Sequence, residues 1–194
     1  MSTINQETLK DYTADLLSLE QHLLNAVKKQ KGSSKVDDNR ASEFFHNIDK
    51  VITEHVNHLG QILDRLGAET KSEIKTKIAS FTGSVAGLID SVRDDVTSKM
   101  IRDDYTALSM VAISYTMLNT VARAAEDEEL VNVTEEHLGH ITQLITSTSR
   151  VIPFVVSGEL LEDSTKAEEI AKASLEATQE KWEGEHIEDA PELV

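Results

Sequence analysis

Two short segments carry the residue types that do chemistry: Glu54-His55-Val56-Asn57-His58 and Glu136-His137-Leu138-Gly139-His140. Four of the chain's seven histidines lie in them. In a helix, residues three apart share a face, so His55 with His58 can bind one ion, as can His137 with His140. Glu54 with His58 and Glu136 with His140, four apart, are alternative pairs. A third segment contributes Glu20, an acid inside an apolar stripe beside Leu16, Leu23 and Leu24. Helices with inward histidines opposite a helix with an inward carboxylate are how bundles build metal sites. Imidazole and carboxylate suit iron, manganese or zinc. The same residues also make sense with no metal, because a buried glutamate can pair directly with a histidine such as His58 or His140. The expected site is therefore Glu20, His55, His58, His137 and His140, holding iron, manganese, zinc or nothing. His55 and His137 are expected in the interior, facing each other or a shared ion.

Helical periodicity positions these residues. Leu9, Tyr12, Leu16, Leu19, Leu23 and Val27 recur at three- and four-residue spacing and predict a helix over 6–29. Gly32-Ser33-Ser34 is a turn. The stripe Phe45, Ile48, Ile52, His55, Leu59, Ile62 and Leu66 predicts a second helix over 38–66, with Gly67 as its stop. A third helix is predicted over 102–125. It is apolar on nearly every side and has no acid from Tyr105 to Ala125, so it must be covered on more than one face. The fourth, over 128–150, has Leu130, Val133, His137, Ile141, Leu144 and Thr148 inward, and Pro153 is expected to end or kink it. In both histidine segments the first histidine is central in its stripe and the second lies at the edge. Residues 164–182 read as a weakly amphipathic fifth helix. Residues 71–102 are irregular, broken at Phe81-Thr82-Gly83-Ser84, with a short helix expected over 85–92. So long a link can carry the chain along the bundle and make helices two and three parallel.

Bulk composition sets the class. The chain has 194 residues, 39% of them hydrophobic and only 4% aromatic, with two prolines. That predicts an all-α protein with an aliphatic core. Without cysteine there is no thiolate ligand, thiol nucleophile or disulfide. The net charge of −16 repels nucleic acid and anionic membranes. No apolar run approaches the roughly 20 residues of a membrane span, and the first residues lack a signal-peptide pattern. A cytoplasmic protein is expected. Its acidity is concentrated at the end, where 159–194 hold 12 acids against 3 bases. The expected division is 1–158 as the bundle, 159–183 as an added helix and 184–194 as an acidic, disordered tail. The surplus apolar surface of helix three predicts a homodimer.

Four long helices, a long link between the second and third, and candidate ligands on helices one, two and four resemble the ferritin-like superfamily over roughly Leu9 to Pro153. Within it the chain is similar to the YciE/YciF-type bacterial stress proteins. The resemblance implies a ferritin-like four-helix bundle with a site built from two ligand sets, each a glutamate followed by one Glu-x-x-His motif. Glu20 then stands at the first glutamate, 35 residues before His55. His55 and His137 stand at the motif glutamates, and His58 and His140 at the motif histidines. The helix-three glutamate has no counterpart, its neighbourhood being Val111, Ser114 and Tyr115. With one inward carboxylate, the set does not imply ferroxidase turnover. It implies a degenerate centre in a stress-associated or structural protein. Two other readings stand beside it. One is a mononuclear iron or manganese oxidoreductase using Glu20, His55 and His137. The other is a non-enzymatic interaction module.

Overall fold

A computed structural model describes residues 6–67 and 96–183, which are all-helical. The helices are α1 (Gln6–Lys31), α2 (Asn39–Arg65), α3 (Thr97–Ala124), α4 (Glu128–Leu160) and α5 (Ser164–Glu183). The predicted break at Phe81 to Ser84, the helix expected over 85–92 and the tail after 183 lie outside the described residues.

Each helix begins and ends for a local reason. The Asp38 carboxylate accepts from the Ala41 amide at 2.9 Å and caps α2. Gly67, at φ 71°, follows its C-terminus in a left-handed conformation that costs glycine little. At the end of α3 the amide of Asp127 reaches back to the Ala122 carbonyl and that of Glu126 to the Arg123 carbonyl. This closes a Schellman turn. The left-handed position of that turn is occupied by Glu126, at φ 60°. Asp127 then caps α4 through the Leu130 amide.

The long helices pack as α1 on α2, α2 on α4, α4 on α3 and α3 on α1. Every adjacent pair is antiparallel. Glu20 meets His55 while Lys31 meets Asp49. His55 meets His140 while Arg65 meets Asp127. Glu20 meets Tyr115 while Gln30 meets Asp104. Tyr115 meets His137 while Ser98 meets Glu159. It follows that α2 and α3, on the diagonal, run parallel. Leu66 and Thr97 accordingly stand at opposite ends. Arg65 binds Asp127 at one end, and the Thr97 hydroxyl donates to the Lys35 carbonyl at the other. The core between the helices is aliphatic, with Leu16, Leu23, Ile48, Ile52, Leu59, Leu108, Val111 and Leu118 buried. Burial of each such side chain stabilises by about 1.5–3 kcal/mol.

Two expectations about the elements are corrected. First, α3 starts five residues earlier than periodicity suggested, because Thr97, Met100 and Ile101 are buried. Second, α4 does not end near residue 150 but continues through Pro153 to Leu160. An interior proline costs about 3 kcal/mol. The residues around it have packing that offsets this loss: Val155 is buried, Val151 and Ile152 just before it are partly buried against the core, and the Phe154 ring lies under the Arg40 guanidinium at 4.2 Å. α5 folds back along this extension, burying Ala167 and Ala171. Glu168 receives both of its bonds from Arg40 at the start of α2.

Candidate functional site

The periodicity that made His55 and His137 central in their stripes does bring them inside. They are 2% and 3% exposed, and Glu20 opposite them is 0% exposed. His58 and His140, at the stripe edges, are half-buried, and Glu54 and Glu136 point to solvent. The alternative pairs of those two glutamates with His58 and His140 are therefore corrected: a residue four before an edge histidine falls outside the core face. Glu20 is also not paired with His58 or His140. Its Oε1 lies 3.0 Å from His55 Nδ1, because the antiparallel register of α1 and α2 sets those two residues at one level.

All five expected residues meet in one cluster, and α3 adds a sixth. The Tyr115 hydroxyl donates to Glu20 Oε1 at 2.8 Å, and it lies 2.8 Å from His137 Nδ1 and 3.3 Å from His55 Nδ1. Two contacts continue outward: His55 Nε2 to His140 Nδ1 at 3.1 Å, and His137 Nε2 to His58 Nδ1 at 3.2 Å. Sequence reasoning named Tyr115 as a neighbour of the absent helix-three glutamate and not as a site residue. The available signal was its inward place in a stretch, Tyr105 to Ala125, that has no acid of its own.

One proton assignment satisfies every contact. With Glu20 ionised, Tyr115 and His55 Nδ1–H both donate to Oε1. His140 Nδ1–H then donates to the free Nε2 of His55. The Tyr115 oxygen has given its proton to Glu20 and accepts from His137 Nδ1–H, and His137 Nε2 accepts from His58 Nδ1–H. In this assignment each of the four imidazoles donates through Nδ1. Two chains of donors thus converge from the half-buried histidines on one carboxylate oxygen. Burial works against charge throughout. It holds the Glu20 carboxyl above its usual range, against the lowering contributions of His55 and Tyr115. It pushes the Tyr115 phenol well up, with the Glu20 charge adding to the effect. Together with the neighbouring His55, His58 and His140, it takes His137 down to about 3. Glu20 Oε2 is buried and has no hydrogen-bond partner among the described residues.

The donor set can be tested against a metal. An ion binds imidazole nitrogen in the ring plane, at about 2 Å. The rings of His55 and His137 are stacked, with centroids 3.8 Å apart and planes 3° from parallel. Parallel planes share no point, so a common ion requires one ring to turn. Among the described residues, no group of three or more histidine, aspartate or glutamate side chains is disposed as a ligand set. As they stand, these residues fit one another's hydrogen bonds and not an ion. Compared with known proteins, the chain matches no protein-family model, no curated protein and no solved structure.

Proposed function

We propose that this chain is a ferritin-like four-helix bundle with a degenerate metal centre, extended by α5. It acts as a structural or stress-associated cytoplasmic protein and not as a turnover enzyme. The helix order, with α2 and α3 parallel, supports the fold. The observation that carries the functional reading is the hydrogen-bond network that joins Glu20, Tyr115 and four histidines. It engages Glu20 Oε1, both ring nitrogens of His55 and His137, and the Nδ1 atoms of His58 and His140. Two tests apply to protein purified without a histidine tag: metal analysis, and Fe²⁺ oxidation in air. The expected result is metal well below one ion per chain and oxidation no faster than buffer. Stoichiometric iron or manganese, with oxidation abolished by Glu20→Ala, would overturn it. That outcome would establish the mononuclear reading through Glu20, His55 and His137. The orphaned Glu20 Oε2 is the feature that favours this second reading.

We also propose that the chain is a homodimer. Ile113 and Met117 are 64% and 49% exposed on α3. They form one stripe with the partly buried Met110 and Val121. No described helix is long and apolar enough to cross a membrane. The interaction-module reading draws on a separate groove between α4 and α5, where Val156, Leu160, Ile170 and Trp182 are exposed.

A further inference from the structure

A second buried polar contact lies outside the histidine cluster. Asp104, on α3, is about three turns from Tyr115 and is 3% exposed. Its facing partner on α1 is Gln30, 5% exposed. They share one hydrogen bond, Gln30 Nε2 donating to Asp104 Oδ1 at 3.1 Å. The other oxygen of each group, Asp104 Oδ2 and Gln30 Oε1, is buried and has no partner among the described residues. Both orphans are acceptors, and two acceptors cannot satisfy each other. Leaving each unsatisfied costs about 1–3 kcal/mol. A single proton changes this. A carboxylic acid and a primary amide each present one donor and one acceptor on a planar group. Protonated on Oδ2, Asp104 becomes the donor that Gln30 Oε1 lacks.

We propose that Asp104 and Gln30 form a proton-dependent latch between α1 and α3. The neutral carboxyl joins the two helices by two hydrogen bonds, and the carboxylate joins them by one.

The surroundings support the neutral form. Burial, with a smaller contribution from the like charge of Asp103, raises the Asp104 carboxyl from 3.8 to about 7 against the lowering effect of the Gln30 bond. Asp103 is on the same helix and is paired with Arg102. From α1 the charged residues flanking Gln30 are Lys29, which is exposed, and Lys31, which is turned to Asp49 on α2. From α4 the antiparallel register sets Thr148, Ser149 and Arg150 beside this part of α3, and Arg150 is exposed. Asp104 Oδ1 accepts from Gln30, and Oδ2 has no hydrogen-bond partner among the described residues. The folded chain therefore holds this proton more tightly than the unfolded chain. The stabilisation from Asp104 is complete below about pH 4, declines as pH rises from 3.8 to about 7, and is absent above that.

The substitution Asp104→Asn tests this directly, because its Nδ2 is the donor that the proton supplies and its Oδ1 is the acceptor for Gln30. Thermal unfolding of the full chain is compared at pH 5 and pH 8. At pH 8 the variant is expected to melt at least about 5 °C above the wild type, and its lead is expected to shrink at pH 5. A variant equal to or less stable than the wild type at pH 8 would overturn the proposal. If the variant does not fold, the wild-type protein decides. Its Asp104 side-chain carboxyl carbon, followed by NMR against pH, is expected to titrate near neutrality. A midpoint in the ordinary aspartate range would overturn the latch. Neither readout depends on metal content, so the result stands apart from that of the metal and oxidation assays.

Discussion

At the scale of single residues the cluster is organised around one oxygen, Glu20 Oε1, which serves both Tyr115 and His55. Tyr115 also has the largest fully buried side chain in the core, so its role can be separated from its packing. Tyr115→Phe keeps the ring and removes only the hydroxyl. It strips Glu20 of one donor and leaves His137 Nδ1 without a partner in the interior. The expected destabilisation is about 1–3 kcal/mol, read as a lowered denaturant midpoint with unchanged slope. His137 carries a second expectation. Its folded pKa of about 3 lies below its ordinary 6.5, so the folded state binds this proton less readily than the unfolded state. Its contribution is complete above about pH 6.5 and is lost as pH falls toward 3. The wild-type protein should lose stability on acidification through this range, and His137→Gln should lose less. Parallel pH–stability curves for the two proteins would contradict this. Because Asp104 changes in the opposite sense over pH 4–7, the comparison is made in an Asp104→Asn background if that variant folds.

At the scale of elements, the joint between α3 and α4 concentrates several constraints. Glu126 occupies the left-handed position of a Schellman turn, where a Cβ is strained and glycine is not. Glu126→Gly should raise stability by about 1 kcal/mol, measured as an upward shift in Tm. Asp127 next to it does two jobs. It caps α4 through the Leu130 amide and accepts with both oxygens from Nη2 of Arg65 at the end of α2, whose Nε pairs with Glu129. Asp38 caps α2, and its side chain accepts from the Ala41 amide. Loss of a cap costs about 0.5–2 kcal/mol. Asp127→Ala should exceed Asp38→Ala by the contribution of the Arg65 pair, and Arg65→Ala should remove most of that difference. Equal losses from the two aspartates in urea unfolding would show that the Arg65 pair adds nothing.

At the scale of the whole molecule the open question is what meets the outer face of α3. Its inner side, Leu108, Val111, Tyr115 and Leu118, is buried against α1 and α4, while Ile113 and Met117 stand out. If this stripe is the dimer contact, two-fold symmetry places each substituted residue at the interface twice. Met117→Glu should convert the dimer to a 21.5 kDa monomer in sedimentation equilibrium at moderate salt, with helix content unchanged. A dimer that survives Ile113→Glu together with Met117→Glu would move the contact elsewhere.

The helical faces were legible in the chain itself, because a helix repeats every 3.6 residues and the direction of a side chain is a local property. That periodicity placed His55 and His137 inside, His58 and His140 at the edge, and Glu20 toward the core, and it made the protein all-α. Which atoms then touch depends on the axial register of helices whose contacting residues lie 22 to 95 positions apart. No local rule sets that register. Packing of the intervening apolar layers sets it, and with it come the pairing of Glu20 with His55, the stacking of His55 on His137, and the approach of Tyr115 to both. The same holds for Asp104: in sequence it is one acid among 35, and only the close packing of α3 on α1 removes it from water and sets it against Gln30. Pro153 shows the converse. Its local effect is to break a helix, and tertiary burial of Val155 with the backing of α5 outweighs that effect. Local preferences amount to a few kcal/mol at most, and a well-packed core can exceed them at any one position.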